Sequence, residues 1–474
     1  MEIKGCAKDG LGEVRVHTVS LEKKEEKGFF GEILSWLRGF FNSYLFYFFE
    51  VLMAFLFVVM GKEVQGAIVF AALLSLLLLV CEDVVATTLP FLLVCTFTTN
   101  CYDSFDTFMA YAPYAPIVIG CAAYHFVVYH KTFSVGDTFK GVFAVSIALC
   151  MGGIGRYGVI EYLKGSYYVL GLGLGMMLAY MLMKSEFSVP RDYDFKTRFA
   201  AIMSLEGLLC VLMIIWGYYK RSMGWTEFTP YPYGFSTNNI GTMLLFSMPF
   251  PLYLAKKNGW FALGTLVLFG AICLTVSRGG MLCGCILFAV CALYWIFSVE
   301  GKWRFVRFLV CAGGLLLLVI VFGKTVWDTV IMRFINEGIL SDDHRTPMIF
   351  EALENFCENP FTGTGILDDD ITYGEFNKKG TMTWYHMMIP QIIGSMGLIG
   401  IAAYAFQITG RVQSIFKNPT PWALCLGLSY LGILLMSQVN PGEFCPLPFE
   451  LLTVLLFILQ EERLVKHPLW AKKV

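Results

Sequence analysis

Charge is the scarcest feature of this 474-residue sequence. Asp, Glu, Lys and Arg make up 15% of the residues, 57% are hydrophobic, and the formal net charge is −1. Ordinary globular domains contain about 25% charged residues. The sequence also lacks the basic excess that marks proteins binding nucleic acids. The composition therefore indicates an integral membrane protein, and we expect no nucleic-acid partner.

Several catalytic and metal-binding patterns are also absent. The sequence has no HExxH motif, no serine-centred nucleophile elbow and no haem or zinc spacing. Gly323-Lys324-Thr325 resembles the end of a phosphate-binding loop, but Leu318 stands where that loop requires a glycine. Most of the 15 cysteines lie in apolar runs, where cysteine acts as a small hydrophobic side chain. These patterns therefore give no indication of a metal or nucleotide site.

Long apolar runs fill most of the chain. A bilayer core is about 30 Å thick, so a helix needs about 20 apolar residues to cross it. A helix also satisfies its own backbone hydrogen bonds in lipid. The pattern predicts an all-α polytopic membrane protein with 12–14 membrane-spanning helices. The fourteen candidate spans are 43–60, 64–80, 84–99, 112–130, 139–153, 166–183, 199–219, 238–255, 260–276, 280–298, 305–323, 386–406, 420–437 and 447–460.

The distribution of basic residues predicts the orientation. With the N-terminus in the cytoplasm, 24 of the 35 Lys and Arg residues lie on the cytoplasmic side, in agreement with the positive-inside rule. Five regions follow along the chain. They are a cytoplasmic tail over 1–28, a helix bundle over 29–323, an extracytoplasmic loop with short helices over 324–385, further helices over 386–460 and a cytoplasmic tail over 461–474.

Basic residues are rare on the predicted outer side, so those present need an explanation. Arg278 follows Ser277 and precedes two glycines in a tight break between two spans. It could anchor a helix end at the interface, or it could bind an anion by forking onto phosphate oxygens. Arg156, Lys220 and Arg221 allow the same two readings, and with Arg345 they could converge on one anionic group.

Two histidines are candidate general bases. His386 lies where the long loop returns into the membrane, and His344 precedes Arg345 within that loop. A histidine at the membrane interface is often only a boundary residue, but its pKa near neutrality also suits proton transfer from a hydroxyl.

Four local patterns, in order, resemble the O-antigen ligase and polymerase superfamily of bacterial surface-polysaccharide glycosyltransferases. They cover roughly residues 230–405, and Met387 departs from the family, which usually has Asn after the histidine. The patterns are Phe235-Ser-Thr-Asn238-Asn239-Ile240-Gly241, Thr275-Val-Ser277-Arg278-Gly279-Gly280, Arg345 with Glu351-Ala352-Leu353 and Asn359-Pro360-Phe-Thr-Gly363-Thr-Gly365, and His386 with Gly394 and Gly397.

The resemblance implies a GT-C-like membrane fold and an inverting glycosyltransferase that needs neither a metal nor an organic cofactor. The donor would be a glycan on a polyprenyl diphosphate such as undecaprenyl diphosphate, and the acceptor a glycan or lipid-linked glycan. Arg278 would hold the diphosphate with help from Arg221, Arg156 or Arg345, and His386 would act as the base. We place Asn238 and His344 in the substrate site as well.

The expected setting is the bacterial plasma membrane, with both termini in the cytoplasm and the active site outside. The four patterns are shared by polymerases and ligases, so they do not separate the two. A transporter or flippase of lipid-linked glycans is the alternative from another class. Such proteins usually carry an internal repeat, and this sequence shows none.

Overall fold

The computed structural model describes most of the chain between Phe29 and Glu461. The described residues are 29–82, 84–98, 114–130, 133–153, 169–187, 194–223, 237–275, 277–332, 335, 345–365, 385, 387–417, 419–439, 442–444 and 446–461.

Every regular element in this part of the chain is helical. The α-helices are α1 (Phe29–Phe41), α2 (Tyr44–Met60), α3 (Glu63–Val80), α4 (Val85–Thr98), α5 (Ala115–His125), α6 (Phe139–Met151), α7 (Gly175–Phe187), α8 (Phe195–Ser222), α9 (Thr237–Ser247), α10 (Pro249–Leu254), α11 (Leu263–Leu274), α12 (Arg278–Phe297), α13 (Lys302–Val326), α14 (Arg345–Glu358), α15 (Met388–Lys417), α16 (Pro421–Met436) and α17 (Leu451–Glu461). Short π-helical segments adjoin four of them, at Phe126–His130, Val169–Leu174, Trp327–Ile331 and Pro446–Glu450.

Each of the fourteen predicted spans falls on one or more of these helices, and the all-α polytopic membrane class is confirmed. Within the described residues, five helices are long and apolar enough to cross a bilayer by themselves, namely α3, α8, α12, α13 and α15. The bent pair of α1 and α2, which meet at 66°, would make a sixth. Other apolar helices have 10–17 residues, so the expected total of 12–14 spans stays a prediction.

The helix α13 shows where lipid surrounds the bundle. Only 6% of its apolar window is buried inside the protein, the lowest share of the five long helices. It packs on α11 and α12 along one side, and Leu317, Val319 and Ile320 on the other side are more than 60% exposed. An apolar surface of this extent is stable only against hydrocarbon, and α13 therefore lies at the edge of the bundle.

The helix α8 lies at the centre of the larger hydrophobic core. Its 28 residues contact α2, α9, α10 and α11. On α16, Trp422 is 2% exposed and packs its ring 5.1 Å from that of Tyr253. Further along α16, the hydroxyl of Ser429 donates to the carbonyl of Phe246 at 2.9 Å. These contacts join α9, α10 and α16 into one unit that packs around α8. The helix α9 also contacts α12.

The predicted topology can be tested with the cysteines that the protein already contains. Cys357 on α14 is exposed and lies in the predicted external loop, whereas Cys285 is exposed in the middle of α12. We expect a membrane-impermeant maleimide added to intact cells to label Cys357, as read by peptide mass spectrometry. Cys285 should stay unlabelled, because it faces lipid. Labelling of Cys357 only after permeabilisation would contradict the predicted orientation.

Candidate active site

The turn between α11 and α12 is held by one serine hydroxyl. Ser277 caps α12 by accepting a hydrogen bond from the backbone N–H of Gly280 at 3.0 Å. The same hydroxyl donates to Oδ1 of Asn238 at 2.8 Å, and Asn238 lies in the first turn of α9. The predicted break between two spans is confirmed, and Ser277 joins the N-terminal ends of α9 and α12.

Two helix N-termini and an arginine therefore meet at one place. Arg278 is the first residue of α12 and is partly exposed. The helices α9 and α12 approach each other here, since a Cβ built on Gly241 would lie in van der Waals contact with the Cα of Gly280, at 3.9 Å. A helix N-terminus carries a partial positive charge and unpaired N–H groups. The arrangement is suited to binding an anion such as a phosphate.

Arg221 lies at the same end of the bundle. It is exposed in the last turn of α8, next to Lys220. Three residues earlier, the hydroxyl of Tyr218 donates to the carbonyl of Leu274 at 2.9 Å. Since Leu274 ends α11, the C-terminal end of α8 adjoins the turn that carries Arg278. The structure thus brings three of the predicted site residues, Arg278, Asn238 and Arg221, to one end of the helices.

The predicted external loop contributes a helix and a tight turn. The helix predicted from Pro347 is confirmed as α14, which begins two residues earlier at Arg345. After α14 the chain turns over Asn359–Gly365, where Gly363 has φ +63° and Gly365 has φ +88°. These left-handed conformations favour glycine, because it has no Cβ. We call residues 359–365 the patch turn, because they pack onto a break in α15.

That break lies at Gly397, which has φ +57° and ψ −147°. A helix interrupted in this way has carbonyls and N–H groups without intrahelical partners. Four backbone hydrogen bonds from the patch turn supply them: Thr364 N to Gly394 O at 2.8 Å, Gly365 N to Ser395 O at 3.0 Å, Leu398 N to Pro360 O at 2.8 Å and Ile399 N to Phe361 O at 3.1 Å. The span predicted over 386–406 is therefore two half-helices joined at Gly397.

Tyr385 fixes the point where the loop returns to the bundle. Its side chain is 1% exposed, and its hydroxyl accepts a hydrogen bond from Nδ2 of Asn355 on α14 at 2.7 Å. Its backbone N–H donates to Oε1 of Gln391 at 3.1 Å, and Nε2 of Gln391 donates to Ser395 at 3.0 Å. These bonds tie α14 to the first half of α15, directly beside position 386.

The remaining predicted site residues are not placed by the structure. His386, His344 and Arg156 lie outside the described residues, as do the side chain of Arg345 and the acidic run Asp368–Asp370. Their roles stay predictions. No group of three or more His, Cys, Asp or Glu side chains in the described part of the chain could hold a metal ion.

Sequence reasoning missed a buried charged cluster deeper in the bundle. Arg411 on α15 is 2% exposed, and its two terminal nitrogens donate to Glu443 and to Glu450, the latter at 2.6 Å. The hydroxyl of Tyr430 lies 3.3 Å from Glu443. The predicted spans 386–406 and 420–437 leave Arg411 in the connection between them. The helix in fact runs to Lys417. The sequence feature that could have indicated this cluster is the pair Glu443 and Glu450, which lies in an otherwise apolar C-terminal region.

The fold and this site define a class, a polytopic helical membrane protein with an arginine-bearing turn at two helix N-termini and a broken helix covered by a loop turn. Residues 263–405 match the model of the family described as O-Antigen ligase. This segment is less than half of the chain and runs from α11 through the Ser277–Arg278 turn and the patch turn to the break in α15. It confirms the resemblance to the O-antigen ligase and polymerase superfamily, and it indicates a membrane enzyme that processes glycans. A search of curated proteins found no match.

The helix break provides a test of the patch turn. A Cβ on Gly397 would lie 2.5 Å from the carbonyl oxygen of Pro360. We therefore expect Gly397→Ala to lower the melting temperature in detergent, with backbone strain alone costing about 1–3 kcal/mol. Gly410→Ala in the same helix is the control, since nothing lies within 4 Å of the added methyl group. Equal melting temperatures for the two variants would contradict the observed packing.

The buried cluster makes a second stability prediction. Arg411→Ala should destabilise the protein by about 3–5 kcal/mol, because two buried carboxylates would lose their cation. The triple variant Arg411→Ala, Glu443→Gln, Glu450→Gln should recover much of that loss, and thermal unfolding in detergent measures both. If the triple variant melts no higher than Arg411→Ala, the carboxylate charges are not the cause.

Proposed function

We propose that the protein is an inverting glycosyltransferase that acts on polyprenyl-diphosphate-linked glycans at the outer face of the bacterial plasma membrane. The observation that carries the proposal is the Ser277–Arg278 turn, where a guanidinium lies at the joined N-termini of α9 and α12. The turn lies within the segment 263–405 that matches the O-antigen ligase family, while Asn238 on α9 lies before it.

The leaving group explains why an anion site is needed. In the transfer, the bond between the anomeric carbon and the diphosphate oxygen breaks, and both electrons stay with the lipid diphosphate. Arg278 and the helix N-termini would stabilise this growing negative charge. Arg221 lies at the same end of the bundle and is exposed, so it could contact the second phosphate, with Arg156 and Arg345 as further candidates. Asn238 orients the turn through Ser277.

The acceptor needs a base on the opposite side of the anomeric carbon. We assign this role to His386, which would take the hydroxyl proton as the acceptor oxygen forms its new bond. Attack from the side opposite the leaving group inverts the configuration. The preceding residue, Tyr385, is fixed by Asn355 and Gln391. We keep His344 as a second substrate-contacting candidate within the loop.

The loop would also exclude water, which competes with the acceptor hydroxyl. The patch turn and Tyr385 hold α14 against α15, so the loop has a fixed base over the bundle. The donor and acceptor could be repeat units of one growing polysaccharide, which defines a polymerase. Transfer of a finished chain to another lipid-linked glycan defines a ligase. We favour the polymerase, because nothing in the sequence marks a particular ligation acceptor.

The test uses purified protein in proteoliposomes with a short polyprenyl-diphosphate-linked repeat unit. Arg278→Ala should lower the transfer rate by about 10²–10³-fold, the usual cost of losing one charge-stabilising donor. His386→Ala should lower it by about 10²–10⁴-fold, as for a general base. Lys62→Ala is the matched control, because Lys62 is an exposed cation in a connection on the same predicted side, and it should leave the rate unchanged.

The products distinguish the alternatives. A ladder of lengthening glycans indicates a polymerase, and a single transfer to an added acceptor indicates a ligase. Normal transfer by both the Arg278 and His386 variants would refute the assigned roles. Movement of labelled lipid-linked glycan between leaflets without any transfer would indicate a transporter instead of an enzyme.

A further inference from the structure

A cavity lies at the opposite end of the bundle from the Ser277–Arg278 turn. It is about 250 Å³ in volume and is enclosed by α10, α12, α16 and the start of α13. Trp295 lines it and stands seventeen residues after Arg278 on the same helix, which corresponds to roughly 26 Å at 1.5 Å per residue. The cavity therefore belongs to the other face of the membrane and is separate from the proposed active site.

The lining combines apolar walls with a cationic opening. Leu252, Leu424 and Leu428 line the walls, while Lys256 and Arg307 are the two cations that face the cavity. Basic pockets between membrane helices commonly bind the phosphates of anionic lipids. The volume lies somewhat below the ~300 Å³ at which pockets for drug-sized molecules begin. It is sufficient for a phosphate with its glycerol but not for a whole lipid.

Arg307 is held in place by the end of α12. Its Nη1 donates to the carbonyl of Trp295 and to the hydroxyl of Ser298, both at 2.7 Å. The guanidinium also lies 5.1 Å from the centre of the Trp295 ring. No carboxylate in the described part of the chain comes within 4.0 Å of Arg307. Its orientation is therefore fixed, while its positive charge has no anionic partner among the described residues.

Lys256 provides the second cation from the facing wall. Its ammonium lies 3.7 Å from the centre of the Tyr253 ring and 3.5 Å from a carboxylate oxygen of Asp194. Burial raises the pKa of Asp194, but hydrogen bonds from Thr197 and the charge of Lys256 outweigh it, so the pKa lies below its usual value. Asp194 is thus ionised at neutral pH and offsets one of the two charges. One net positive charge remains at the cavity.

Trp295 forms part of the cavity wall. It is 7% exposed, and its indole N–H is buried without a hydrogen-bond partner among the described residues. A buried donor left without an acceptor costs about 1–3 kcal/mol. Because the indole nitrogen has almost no accessible surface, a ligand in the cavity would contact the ring of Trp295 and the two cations, Lys256 and Arg307.

We propose that this cavity binds the phosphate-bearing head group of an anionic phospholipid from the leaflet on that side. The adjoining helix α13 favours a lipid over a soluble phosphate, because its outer surface is apolar and almost entirely exposed. Phe308 and Leu309 directly follow Arg307 and are about half exposed. Acyl chains can therefore lie along α13 while the head group contacts Arg307 and Lys256.

Native mass spectrometry of the detergent-purified protein tests the proposal with phosphatidylglycerol as the probe. Wild-type protein should retain bound phosphatidylglycerol, and the double variant Lys256→Gln, Arg307→Gln should bind it at least tenfold more weakly. Arg304→Gln is the matched control, because Arg304 is an exposed cation on the same helix that does not line the cavity. It should change the affinity by less than twofold.

Other probes separate the source of the phosphate. The head group of phosphatidylcholine is zwitterionic, because its choline ammonium balances the phosphate charge, and it should bind much more weakly than phosphatidylglycerol. Glycerol 3-phosphate at the same concentration should not displace the lipid. Equal binding of phosphatidylcholine, displacement by glycerol 3-phosphate, or an equal loss in Arg304→Gln would each overturn the proposal. Because Arg307→Gln also removes a helix cap, the single variant Lys256→Gln is measured as well, and unchanged binding by this variant would count against the site.

Discussion

The constraint on which the rest of this structure depends is the need to satisfy backbone groups at a helix break inside a membrane. Each unpaired N–H or C=O in hydrocarbon costs several kcal/mol, so an uncovered break in α15 would be unstable. The patch turn removes that cost with four backbone hydrogen bonds on the two sides of Gly397. Glycine is required at both 363 and 397. A Cβ on Gly363 would collide with the backbone of α15, and a Cβ on Gly397 would collide with the backbone of the patch turn.

The patch turn also determines where the loop can lie. Because it follows α14 directly, docking of residues 359–365 brings Asn355 to the hydroxyl of Tyr385. Tyr385 in turn packs against Gly394, where a Cβ would lie 2.9 Å from the tyrosine hydroxyl. The loop helix, the return into the membrane and the first half of α15 thus form one unit.

Apolar runs predicted the helices well, because the requirement for about 20 apolar residues depends on composition and not on partners. The Ser277–Arg278 turn was also predictable, since two glycines and a charge interrupt a stretch too long for one crossing. Interactions distant in sequence were not predictable. Ser277 meets Asn238 across 39 positions, and the break at Gly397 needs carbonyls from Pro360 and Phe361. Hydropathy ends the predicted span at residue 406, because Arg411 is charged, whereas the helix continues to Lys417 and Arg411 is buried.

The buried cluster around Arg411 gives the broken helix a second connection between its halves. The backbone N–H of Met388, at the start of α15, donates to the carbonyl of Ser437 at 2.7 Å. The Ser437 hydroxyl accepts from the N–H of Glu443 at 3.0 Å, and Glu443 pairs with Arg411 in the second half of α15. The two half-helices are therefore joined through the segment after α16 as well as through Gly397. A single glycine alone would hold the two halves of α15 only loosely. The contacts through Ser437, Glu443 and Arg411 therefore help to fix the first half of α15, where the loop returns, relative to the rest of the bundle.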